Sequence, residues 1–277
     1  MGFIKIKPDA IGNSIKIFYE DYGTGTPVVF IHGWPLNHEM WEYQLTELAK
    51  HNLRCIAYDR RGFGKSDRPW DNYDYDMLAD DLKALLDQLD IKDAILIGFS
   101  MGGGEIARYI GKYGTERIAK VVLIAAVTPF MLKTEDNPEG VDKKNFDEIV
   151  ESIIADRPAF LVEFAKKFYG VTKSNEAVSQ PMLDWNQMLC LMSSLKSTTE
   201  CVRSFSETDF RDDLAKIDVP VLIIHGDEDQ TVPIAISGNK TAKMLPQAKY
   251  LVYKGSPHGL FITDKDKLNK DLLDFIG

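Results

Sequence analysis

Ten residues, Ile95-Leu-Ile-Gly-Phe-Ser-Met-Gly-Gly-Gly104, constrain this chain more than any other stretch. An apolar run of strand character climbs to Gly98, and a run of helical character begins at Gly102. Ser100 stands between them in a Gly-x-Ser-x-Gly frame. A strand that becomes a helix over so few residues must turn sharply, and the turn lifts the serine oxygen above the sheet. A side chain at 98 or 102 would strike the neighbouring strand or helix, so both positions call for glycine. The following helix aims its free N–H groups at the same point, where negative charge can be met.

The rest of the chain supplies the sheet. Phe3 to Lys7 and Ile15 to Glu20 alternate apolar and polar residues across a turn at Asp9 to Asn13, which predicts an antiparallel edge hairpin. Pro27 to Ile31, Arg54 to Tyr58, Ala94 to Phe99 and Val121 to Val127 are short apolar runs of the buried-strand type. Helical stretches fall between them, near His38 to Lys50, at Leu78, Leu82, Leu85, Leu86 and Leu89, and over Gly102 to Tyr113. Alternation of this kind implies a parallel sheet covered by helices on both faces.

The rhythm changes after position 127. Phe146, Ile149, Val150, Ile153 and Ile154 form one helical stripe, and Phe160, Leu161, Phe164 and Phe168 a second. Trp185, Met188, Leu189 and Met192 form a third, and Leu195 to Phe205 continues in helical character. We expect a core domain from residues 1–127 and 211–277, with a helical cap inserted at 128–210. The strand–helix pattern resumes at Pro220 to Ile224, Ala235 to Leu245, Ala248 to Tyr253 and Asp264 to Ile276.

The formal charge of −9 argues against nucleic acid or an anionic membrane as a partner, since both require a basic face. Cys55, Cys190 and Cys201 have no metal-ligand spacing and are expected as buried free thiols. With no signal-peptide core at the N-terminus, a cytoplasmic protein is expected. A homo-oligomer is compatible with this reading.

A serine hydroxyl becomes a nucleophile only beside a base, and the base needs a third group to orient it. In a strand–turn–helix frame of this kind the order is serine, acid, histidine. His258 is the histidine that follows the last predicted strand in a loop. The acid should lie in His225-Gly-Asp-Glu-Asp-Gln-Thr-Val-Pro233, where Asp227, Glu228 and Asp229 are equally allowed by spacing. Two N–H donors should face the developing oxyanion, one from Met101 and one from the loop His32-Gly-Trp-Pro35. Pro35 has no N–H, which makes Trp34 the expected second donor. Arg60, Arg61 and Lys65 read as scaffold rather than as an anion site, because no phosphate-loop spacing accompanies them. No His-x-x-x-His or Cys-x-x-Cys pair points to a metal.

Together, Phe30-Ile-His-Gly-Trp-Pro35, Tyr58-Asp-Arg-Arg-Gly-Phe-Gly-Lys-Ser66, Gly98-Phe-Ser-Met-Gly-Gly103, the 225–233 segment and Ser256-Pro-His-Gly259 resemble the α/β-hydrolase superfamily. Within it, the chain resembles the cofactor-free bacterial haloperoxidases, or perhydrolases, with the related aryl esterases and γ-lactamases. Asp136-Asn-Pro-Glu-Gly-Val141 and Glu207-Thr-Asp-Phe-Arg211 extend the likeness into and past the insertion. The resemblance implies an α/β fold with a mostly parallel eight-stranded sheet and a helical cap. It implies a serine hydrolase for small or aryl esters, with hydrogen peroxide as an alternative acyl acceptor and no haem or metal cofactor. It assigns Ser100 as nucleophile, His258 as base, Asp229 as acid, and Trp34 and Met101 as oxyanion donors. Amide or γ-lactam hydrolysis at the same triad is the second reading, and a slow-turnover ligand receptor the third.

The pocket should be apolar. Trp34, Phe99, Val127, Thr128, Phe130, Phe164, Phe168, Trp185 and Val232 are the side chains expected against substrate. Such a lining favours a small, weakly polar acyl or aryl group.

Overall fold

The computed structural model describes residues 1–9, 11–172 and 175–277. Its centre is an eight-stranded sheet in the order β1-β2-β4-β3-β5-β6-β7-β8. The strands are β1 (Gly2–Ile6), β2 (Ile15–Tyr22), β3 (Thr26–Ile31), β4 (Leu53–Tyr58), β5 (Ala94–Phe99), β6 (Ile118–Ile124), β7 (Val221–Gly226) and β8 (Lys249–Tyr253). β1 pairs antiparallel with β2, and β2 with β4, while β4 to β8 pair in parallel through β3. The turn expected over 9–13 includes residue 10, which lies outside the described residues.

Burial follows from position in the sheet. β5 and β7 are buried at every residue, and so read as unbroken apolar runs. The edge strand β1 alternates buried Ile4 and Ile6 with outward Phe3 and Lys5. Helices α2 (Tyr75–Gln88) and α3 (Met101–Tyr113) cover one face, where Leu78, Leu82, Leu85, Ile106 and Ile110 join the core. Helices α1 (Glu42–Leu48) and α10 (Lys265–Ile276) cover the other, with Leu45, Leu48, Leu268 and Leu272. The chain runs outward from β3 to β4 in one direction and from β5 to β8 in the other. A crevice therefore opens at the carboxyl ends of β3 and β5.

Three expectations need correction. The strand predicted from Val121 to Val127 begins at Ile118 and ends at Ile124. Ala125 adopts a φ of 45°, and Val127 N–H turns back to the Ser100 carbonyl at 3.3 Å, so residues 125–127 wrap the serine turn instead. The first two cap stripes belong to one element, α4 (Lys143–Phe168), kinked at Asp156. Pro158 cannot continue the first half, and the Asp156 carboxylate caps the second by accepting the Ala159 N–H at 3.0 Å. The third stripe is rotated from its expected face. In α5 (Gln180–Leu191) the buried residues are Asn186, Leu189 and Cys190, while Met188 is 65% exposed. Asn186 is buried because its Oδ1 accepts the Tyr169 hydroxyl at 3.0 Å, a partner that apolar patterning does not reveal.

Helices α6 (Leu195–Glu207) and α7 (Arg211–Leu214) complete the segment between β6 and β7. After β7 come α8 (Gly238–Met244) and, before α10, the single turn α9 (Leu260–Thr263). All three cysteines are buried and unpaired. Among the described residues no helix is long and apolar enough to cross a membrane.

Candidate active site

Ser100 follows β5 directly and adopts φ 52° and ψ −116°, a conformation that costs a non-glycine residue about 1–3 kcal/mol. The neighbouring structure holds it there. A Cβ at Gly98 would lie 2.6 Å from the Gly102 carbonyl oxygen, and one at Gly102 would lie 2.4 Å from that of Ile31. Both clashes are with backbone, which cannot move aside, so the two glycines of the frame are sterically required. Ser100 N–H donates to Ile124 at 2.8 Å, tying the turn to β6.

His258 lies in the loop after β8, and Asp229 three residues past the end of β7. The three side chains meet. His258 Nε2 is 3.0 Å from Ser100 Oγ, and His258 Nδ1 is 2.6 Å from Asp229 Oδ2. All three residues are buried. Phe99 and Phe168 flank the imidazole, each with a ring centre 4.8 Å away. Asp229 Oδ1 accepts the N–H groups of Thr231 and Val232, both at 2.8 Å. Burial alone would raise the Asp229 carboxyl. Its net position is nonetheless well below the usual carboxylate range, because His258 and His225 beside it favour the charged form. Asp227, the first candidate of the acidic loop, is exposed and accepts the Gly255 N–H at 2.6 Å, so it holds a turn. Glu228 is exposed as well.

The Trp34 loop follows β3. Among the described residues, neither Trp34 N–H nor Met101 N–H donates a hydrogen bond, which leaves both available. The loop is anchored from below. His32 Nδ1 pairs with the Gly33 carbonyl at 2.8 Å, and His32 Nε2 accepts the Arg60 N–H at 3.0 Å. Burial, and then the Arg60 charge, keep the His32 imidazole well below its ordinary range. Arg60 is itself buried, donating to Glu105 at 2.8 Å and to the His32 carbonyl at 2.8 Å. Arg61 grips Asp81 through two bonds of 2.6 and 2.7 Å. Lys65 reaches Glu39 at 3.3 Å on the surface. The three cations are scaffold.

A cavity of about 320 Å³ opens over Ser100. Of the nine side chains expected against substrate, Trp34, Val127, Phe164 and Val232 line it. The other five do not. Phe99 points to the opposite side of β5, where it packs against Trp41 and Phe261 and backs the imidazole. Phe168 is consumed on the same ring. Thr128 turns its hydroxyl to that of Thr241 at 3.0 Å. Phe130 lies under the Arg211 guanidinium, 5.5 Å from it. Trp185 rests half-buried against the apolar core that includes Leu45, Leu48, Leu268 and Leu272. The wall is completed by Met131, Phe146, Ile149, Phe160, Phe205 and Thr231, with Glu163 and Lys167 also lining it. Phe146, Ile149 and Phe160 were visible in the helical stripes, but spacing alone did not say which way each stripe faced. Trp34 joins the two sides of the cavity: its ring meets Phe164 at 5.3 Å and Phe205 at 5.6 Å, and its Nε1 donates to the Thr198 carbonyl at 3.0 Å.

Residues 26–265 match the family described as the alpha/beta hydrolase fold. The chain is 43% identical over 266 residues to a non-heme chloroperoxidase of Kitasatospora aureofaciens, covering 95% of this chain and 97% of that one. It is 41% identical over 280 residues to a bifunctional esterase/perhydrolase of Acinetobacter calcoaceticus, covering 100% and 99%. Among solved structures, a bromoperoxidase from Bacillus anthracis superposes with a TM-score of 0.95 at 47% identity, over 99% of both chains.

Proposed function

The chain belongs to the alpha/beta hydrolase fold family, in the group of non-heme haloperoxidases and esterase/perhydrolases, and on that premise we propose which of its residues carry out carboxylic ester hydrolysis. Ser100 Oγ attacks the ester carbonyl carbon while His258 Nε2 takes the hydroxyl proton. Asp229 fixes the imidazole orientation and stabilises its cation. The Trp34 and Met101 N–H groups hold the tetrahedral oxyanion, helped by the N-terminal end of α3. As the intermediate collapses, His258 returns the proton to the departing alcohol. Water then attacks the acyl-enzyme and releases the carboxylic acid. Hydrogen peroxide in its place releases a peracid, which oxidises halide away from the protein.

The observation that supports this reading is the connected relay, 3.0 Å and 2.6 Å, opening on an apolar cavity. Residues 128–210 act as a cap over a core of 1–127 and 211–277, and the mainly apolar wall, with rings from Trp34, Phe146, Phe160, Phe164 and Phe205, suits small or aryl acyl groups. Steady turnover of a nitrophenyl ester, blocked by a serine-directed phosphonate, is the expected behaviour. Ser100→Ala should lower that turnover by about 10⁶-fold. Turnover within tenfold of wild type would overturn the assignment.

A further inference from the structure

Asp229 has a second histidine neighbour. His225 is buried as the second-to-last residue of β7, and its Nε2 lies 2.8 Å from the Val232 carbonyl and 3.2 Å from Asp229 Oδ2. Both partners are acceptors, so Nε2 carries the proton. The other nitrogen, Nδ1, is buried without a hydrogen-bond partner. Gly238, at the start of α8, packs on that edge so closely that a Cβ there would sit 2.7 Å from Nδ1. A proton on Nδ1 would be buried unpaired against the helix, which costs the full desolvation of that N–H. Two independent contacts therefore select one tautomer.

We propose that His225 is a positioning residue whose single N–H, shared between the Asp229 carboxylate and the Val232 carbonyl, sets how strongly Asp229 engages His258 and at the same time pins the cavity wall at Val232. The proposal rests on the triad reading above. Asp229 Oδ2 then divides its negative charge between two donors, the closer of which is His258. Removing the His225 donor leaves more of that charge facing His258 and stabilises its protonated form. Because the base must be unprotonated to act, the acid limb of kcat/KM moves to higher pH.

The other charged groups around this relay do not supply the same control. Asp227 and Glu228 are exposed, Glu163 on α4 is engaged by Lys166 at 2.6 Å, and Lys167 stands exposed on the cavity wall. Lys240 on α8 pairs with Glu139 at 3.0 Å. Among the described residues, the rings that β5 and α4 place against His258 are the apolar Phe99 and Phe168.

The test uses His225→Phe, which removes the donor, and His225→Gln, which keeps one. The Phe variant should lose about tenfold in kcat/KM and shift its acid limb upward by about half a pH unit. The Gln variant should restore the wild-type limb. A folded Phe variant with an unmoved limb, or a Gln variant shifted as far as Phe, would overturn the proposal in favour of a merely structural histidine. The wild-type protein offers a check that does not depend on either variant folding. Its long-range proton–nitrogen spectrum should place the His225 proton on Nε2, and a proton on Nδ1 would refute the assignment even with Ser100 chemistry intact.

Discussion

Beneath the cavity, Ser100, Asp229 and Trp34 stand within three residues of the ends of β5, β7 and β3, and His258 lies five past β8. Above it, Phe146, Ile149, Phe160 and Phe164 come from the two halves of α4, and Phe205 from α6. Below, the side chains meet atom to atom at hydrogen-bond distance, and the sheet register supplies that precision. Above, the side chains contribute apolar area, and one ring can stand in for another. The difference teaches that the hydrogen-bonded relay and the apolar wall are built by separate parts of this chain. Trp34 is the seam, because its backbone belongs to the floor and its indole packs into the wall.

Substitutions should sort along that seam. The largest effect after loss of the serine is expected at Asp229→Asn. Without the carboxylate the imidazole loses its orientation and the stabilisation of its cation, and kcat should fall by about 10⁴-fold, as in other triads. KM for a small ester should change little, which steady-state kinetics will read. If kcat fell less than tenfold, Asp229 would belong to the loop and not to the chemistry. Phe164→Ala tests the wall. Removing a ring from the cavity should cost about 1.5–3 kcal/mol of binding and raise KM for an aryl ester at least tenfold, with kcat within about threefold. An equal loss in kcat would erase the distinction between floor and wall. Trp185→Ala should give the smallest effect. Its ring lies outside the cavity, so kcat/KM should stay within about twofold even if some stability is lost.

What the sequence revealed divides along the same line. The floor was legible because its demands are local and chemical. A strained serine turn requires glycine at 98 and 102, and no other pattern in the chain satisfies it. Asp229 could not be told from Asp227 by spacing, and the structure separates them by burial and by which backbone each holds. The wall was less legible because a helical stripe reports that a face is buried, not what it is buried against. Phe168 and Phe99 met the same compositional criteria as Phe164, yet they pack on the imidazole. The α5 stripe misled for a related reason: a buried Asn186–Tyr169 bond turns the helix so that Met188 faces solvent. His225 drew no role from the sequence because it stands at the end of the predicted strand, and the two acceptors around its ring come together only in three dimensions.

The most direct test of the account is to locate the covalent intermediate. Wild-type protein quenched in acid during turnover of a nitrophenyl ester, then digested and mass-mapped, should carry one acyl group on the peptide that contains Ser100. An acyl group on any other side chain, or turnover with no acylated peptide while the phosphonate also fails to label Ser100, would contradict it.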